Sequence, residues 1–114
     1  MIVATPVTAD GHSTMSWGRA HWVGLADVRD GEVAAWQVLE VGWDESHDAG
    51  THGSHHARIA GFLKEHAVEA VVAHHVGPGM QRMLGTMRIP VLPASPGYAP
   101  VSVLAAVADA GLDT

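Results

Sequence analysis

There is no cysteine in the chain, which removes disulfides, thiolate nucleophiles and the usual ligands of iron–sulfur clusters. Any metal chemistry must therefore rest on imidazole and oxygen. Basic residues are scarce too: 6 Lys and Arg stand against 12 Asp and Glu, for a net charge of -6. No Lys/Arg cluster offers a stripe on which phosphates could displace counterions, which argues against nucleic acid as a partner. No apolar run approaches the roughly 20 residues of a membrane span. The start MIVATPVTADGH lacks the basic residues and long apolar stretch of a secretory signal. The expectation is a cytoplasmic protein folded as one domain over residues 1–114, since domains usually run to roughly 100–150 residues.

What the chain does have is histidine, nine in all, spread through patterned sequence rather than run together as a tag would be. IVATPVT (2–8) reads as a first strand, with Pro6 a warning because proline prefers edges and strand ends. HWVGLADVR (21–29), the turn pair Asp30-Gly31 and VAAWQVLEV (33–41) predict a β-hairpin. GSHHARIAGFLKEH places Ile59, Phe62, Leu63 and His66 at helical spacing. VEAVVAH (68–74) is a strand buried on both faces. GPGMQRMLGTMR predicts a second helix with Met80, Met83, Leu84 and Met87 on one side. IPVLPAS is a last strand, and YAPVSVLAAVADAGL a closing helix that stops near Gly111.

The order β-β-β-α-β-α-β-α demands an α/β fold with a mixed five-stranded sheet, strand 2 antiparallel and three helices covering its faces. In that arrangement the loop after strand 1 (9–20), the start of the first helix (47–56) and the turn after strand 4 (74–79) share the carboxyl edge, where open α/β sheets bind ligands.

STMSWGRAHWVGLADVRDGEV resembles the pattern Ser/His-x-Phe-Gly-Arg-Ala, aromatic, strand, Asp-Gly of the dinitrogenase iron–molybdenum cofactor biosynthesis family, the small NifX-like proteins. VVAHHVGPGMQRML is similar to that family's strand, His/Asn, x, Gly-Pro, helix element, and VATPVT to its first strand. The resemblance covers essentially the whole chain. It implies a ribonuclease-H-like fold with sheet order 3-2-1-4-5 and the binding or carrying of iron–molybdenum cofactor precursors or related metal clusters. Trp17 stands where the family usually has Phe, His52, His55 and His56 stand at a helix start that is usually glycine-rich, and His74 replaces a frequent glycine. These departures leave a simpler ion or a different cluster open.

On a helix His52 and His56 lie one turn apart with His55 beside them, so two or three imidazoles could meet one ion. Zinc, copper, nickel or iron would all accept nitrogen. Solvated residues in a surface helix are the competing reading. His75, at the end of the buried strand, and His12, over the same edge, are further candidate ligands; His74 points to the face opposite His75, and His47 could join from its loop. His21 and His66 are not needed. Arg19 with Ser16 and Trp17 could hold an anionic ligand, and Gly77 and Gly79 could turn backbone N–H groups toward it, although Gly-Pro-Gly reads first as a simple turn.

Enzymes of several kinds lack their residues here. A two-metal nuclease needs carboxylates in strand 1, and IVATPVT has none. There is no Gly-x-Ser-x-Gly elbow and no His-Glu-x-x-His. The expected function is a non-catalytic carrier of a transition-metal ion or metal cluster, with a donor or acceptor protein as its partner. A metal-dependent enzyme using the same histidines, or a small-molecule or anion-binding module, are the alternatives. VAAWQVLEV has little charge to blunt a sheet edge, which makes strand 3 a candidate homodimer surface.

Overall fold

In the computed structural model, which describes residues 1–46 and 52–112 and of His52 only the backbone, the five strands form one sheet in the order β3-β2-β1-β4-β5. β1 (Ile2–Val7), β2 (Trp22–Arg29) and β3 (Glu32–Glu40) make an antiparallel meander, while β4 (Ala70–Ala73) and β5 (Val91–Pro93) run parallel to β1. Asp30 and Gly31 both take positive φ, 52° and 76°, the backbone that a two-residue hairpin needs to match the twist of its strands. A register shift between Asp27 and Val28 leaves Ala34 as the extra residue of a bulge. Pro6 is tolerated inside the central strand because it is the penultimate residue of β1, and its carbonyl still accepts from the Thr14 N–H at 3.1 Å.

α2 (His52–Glu65) and α3 (Pro78–Thr86) cover one face, and α4 (Ala99–Asp109) covers the other. The long helices match the sequence pattern. The four-residue α1 (Trp43–Ser46) lies where a loop is expected from sequence. Its cause is a single anchor: Trp43 is 2% exposed and packs edge-on against Trp17 and Phe62, with ring centroids 5.1 and 5.3 Å apart. Trp17, Ile59, Leu63, Met80 and Leu84 complete that core. The second core gathers Val3, Ala26, Val28, Val72, Leu92, Val103 and Val107 beneath α4, which ends at Gly111 with φ 69°, the left-handed residue that closes many helices. No described helix is long and apolar enough to cross a membrane.

Gly24 decides how the hairpin packs. A Cβ built there would lie 2.2 Å from Cη2 of Trp36, so the indole lies directly on the β2 backbone. Gly24→Ala is expected to cost about 1–3 kcal/mol of folding free energy, the usual range for overpacking. Urea denaturation followed by circular dichroism measures it, and a variant as stable as the parent would contradict this packing.

Candidate functional site

The loop after β1 is held against the end of β4 by backbone bonds. Ser16 pairs with His75 in a short parallel bridge, in which the His75 N–H donates to Met15 O at 3.1 Å and the Trp17 N–H donates to His75 O at 3.2 Å. Ser16, Gly18 and Arg19 are thereby set beside the end of β4. α2 is then tied to the same loop by His55, which is 4% exposed and has Nε2 2.8 Å from the Gly18 carbonyl oxygen. A carbonyl only accepts, so Nε2 carries the proton and, in the neutral ring, Nδ1 carries the lone pair. That pattern orients an imidazole against its backbone.

These contacts enclose a cleft of about 260 Å³ lined by Ser16, Gly18, Arg19, His55, His56 and His75 on one side and by Gly77, Pro78, Gly79 and Met80 on the other. Since a water occupies about 30 Å³ of liquid, the space is many times that of a single ion. α3 begins at the cleft with Gly77 as a cap that supplies no side-chain bond and Pro78 in the first turn, leaving the amides of Gly79 and Met80 as first-turn donors without intrahelical acceptors. Gly79 also admits a neighbour, because a Cβ there would be 3.0 Å from Cε1 of His56. Arg19 is exposed and makes no ion pair among the described residues.

Other residues singled out by sequence lie elsewhere. Trp17 has 0% exposure and belongs to the core under the loop; its backbone, not its ring, positions the cleft. His12 pairs with Tyr98 across a backbone bridge, with its ring 6.0 Å from the tyrosine ring and Nδ1 3.4 Å from Asp10, and it lines no part of the cleft. His74 faces away, beside Leu92 and Pro93. His47 and the side chain of His52 fall outside the described residues.

His21, which the sequence pattern sets aside, lies between two carboxylates. Its Nδ1 is 2.8 Å from Asp44 Oδ1 and its Nε2 2.6 Å from Glu40 Oε2. An ionised carboxylate only accepts, so the two contacts together favour the imidazolium form, in which both ring nitrogens donate. The hydrogen bond to Asp44, then that to Glu40, raises its pKa above the ordinary value, and the His21 bond lowers that of Asp44. Hairpin counting from Asp30-Gly31 sets residue 40 at the level of residue 21, one step from its observed sheet partner Trp22 because of the bulge, but nothing in the sequence brings Asp44 there without the Trp43 anchor.

A raised imidazole pKa stabilises the fold fully below the unfolded value of about 6.5 and is lost as pH climbs through the folded value; a lowered carboxyl pKa contributes above about 3.9 and is lost as pH falls through its own folded value. The network should therefore contribute most between about pH 4 and 6.5. In chelator-treated protein the His21 ring, followed by NMR, is expected to titrate above about 6.5, and Asp44→Asn should lower that midpoint. An ordinary midpoint in the parent protein would contradict the network.

The topology defines a single-sheet α/β fold, with a cleft at the carboxyl edge of the sheet. The chain belongs to the dinitrogenase iron-molybdenum cofactor family, whose sequence model matches residues 1–110. Among solved structures it is similar to the crystal structure of PH0822, with 21% identity and a TM-score of 0.74 over 96% of this chain and 90% of that one. It is similar also to TM1290 from Thermotoga, a candidate NifB protein, at 21% identity and a TM-score of 0.66 over 90% and 83% of the two chains. A third is MJ0327 from Methanocaldococcus jannaschii, a candidate dinitrogenase, at 15% identity and 0.65 over 97% and 89%. At such identities the likeness is one of fold. No curated protein matches the chain.

Proposed function

We infer that this protein is a non-catalytic carrier that takes a metal cluster, or a metal ion with its anionic ligands, into the cleft between the 16–19 loop and the start of α3. The observation that carries this reading is the meeting of two kinds of group on one cleft: imidazoles able to donate nitrogen to a metal, and positive groups able to balance an anion. His56 and His75 are the assigned nitrogen donors. Arg19 and the first-turn amides of α3 supply the charge and hydrogen bonds that a sulfide-rich or otherwise anionic cluster requires. Met80 gives the floor an apolar, polarizable wall. His55 keeps Gly18 and the loop in register.

Family membership supports the choice of cargo. The absence of thiolates suits a carrier, because nitrogen donors hold an iron–sulfur core less tightly than cysteine and so permit its transfer to a partner protein.

The test is anaerobic mixing of tag-free protein with an isolated iron–molybdenum cofactor or its precursor, followed by gel filtration, elemental analysis and visible absorption. Co-elution of metal and protein with a shifted absorption band is the expected result. Elution of the cluster apart from the protein would overturn the reading.

A further inference from the structure

We propose that His21, Asp44 and Glu45 form a second site, separate from the cleft, for a divalent transition-metal ion, with Glu40 orienting the imidazole from behind. Among the described residues these three offer one nitrogen and two carboxylate oxygens all within 4.8 Å of one another. Ligands about 2.1 Å from a tetrahedral ion sit about 3.4 Å apart. His21 Nδ1 and Asp44 Oδ1 are 2.8 Å apart, and no two of the three donors are more than 4.8 Å apart, so the spacings bracket the one an ion requires.

The far side of the ring is already arranged as metal-bound histidines usually are. His21 Nε2 donates to Glu40 Oε2 at 2.6 Å, and a carboxylate in that position fixes ring orientation and makes the other nitrogen a better donor. The charge balance points the same way. Glu40, Asp44 and Glu45 surround a single imidazole, and none of the three forms an ion pair with Lys or Arg among the described residues. A dication in place of one proton would bring the group closer to neutrality.

The scaffold beneath is fixed by other bonds. The carbonyl oxygen of His21 accepts from the Val41 and Gly42 N–H groups at 2.8 and 3.0 Å, and that of Ala20 accepts from the Trp43 N–H at 2.9 Å. Glu45 folds back over Gly42, with Oε2 3.9 Å from where a Cβ would be. A nitrogen combined with carboxylates selects zinc, manganese, iron, cobalt or nickel over calcium and magnesium, which take oxygen alone. The ion would cross-link the residue that leads into β2 with α1, while β3 takes part only through the Glu40 hydrogen bond to the ring. Arg19 stands between the two sites, lining both the cleft and the groove that reaches His21.

Tag-free, chelator-stripped protein titrated with Co²⁺, read by visible absorption, and with Zn²⁺, read by calorimetry, tests the assignment. One equivalent should bind in the His56→Ala/His75→Ala variant, as it should in the parent protein apart from any ion the cleft takes up. Asp44→Asn and Glu45→Gln, each close in shape to the parent residue, should weaken this binding by at least about 10-fold, and Glu40→Gln by about 10-fold. Circular dichroism verifies that each variant is folded. Loss of the binding in the cleft variant, unchanged binding in Asp44→Asn, or no binding in the parent protein would each overturn the proposal. Because the cleft cargo is measured separately, failure here leaves the carrier reading standing, and failure there leaves this one.

Discussion

Replacing His56 and His75 together by alanine should weaken cluster binding by more than about 100-fold, since even residues behind a metal ligand are worth 10- to 100-fold, while the fold survives. His75 is exposed at the end of β4, and His56 is half-buried in α2, where alanine is the better helix former. Neither change removes a buried packing residue, so the stability cost should stay within about 1 kcal/mol. His55→Ala should behave differently. It deletes the hydrogen bond to Gly18 from a side chain that is 4% exposed, so it should lose stability as well as binding. Metal content after gel filtration, set beside thermal unfolding of the same samples, separates the two patterns. If the double variant still carries cluster as the parent does, the cleft is not where the metal sits.

The second large effect concerns stability. Trp17→Ala should cost about 3–5 kcal/mol, a large part of the 5–15 kcal/mol by which a domain is ordinarily stable. Trp17 is fully buried and meets Trp43 edge-on, so its removal opens the core beneath the loop and frees α1. Trp17→Phe should cost far less, within about 1 kcal/mol of the parent. The indole N–H of Trp17 reaches no acceptor among the described residues, and a buried unsatisfied donor costs about 1–3 kcal/mol. Phenylalanine loses some packing and removes that penalty. Urea denaturation of the two variants measures both costs, and a Trp17→Ala protein as stable as the parent would show that the ring is not part of the core.

Much of the architecture was legible because it rests on local rules. Asp30-Gly31 announced the hairpin through the positive φ values that both residues adopt. The apolar VVA of β4 announced a strand covered on both faces, and its burial is complete. Met80, Met83, Leu84 and Met87 marked the inner side of α3, where Met80 and Leu84 are buried and the other two pack partly against them. The order of strands and helices then placed three loops at one edge.

Side-chain roles were less legible, because they depend on which atoms meet once the elements pack. His12 and His75 look alike in sequence. A backbone bridge to Tyr98 takes His12 toward the start of α4, and a bridge to Ser16 brings His75 to the cleft. His55 and His56 are neighbours on α2, yet one ring is buried on a carbonyl and the other lies against Gly79.

By itself, then, the sequence determined the order and direction of the strands, the helix faces, and the absence of thiolates from any metal chemistry. Periodicity, turn chemistry and composition act along the chain and need no partner. The tertiary structure alone decided that Trp17 is a wedge in the core, that His55 holds the loop, and that His21 stands among carboxylates drawn from β3 and α1. Those outcomes depend on distances of a few ångströms between residues far apart in the chain, which are set only when Trp43 seats α1 and the 16–19 loop pairs with the end of β4.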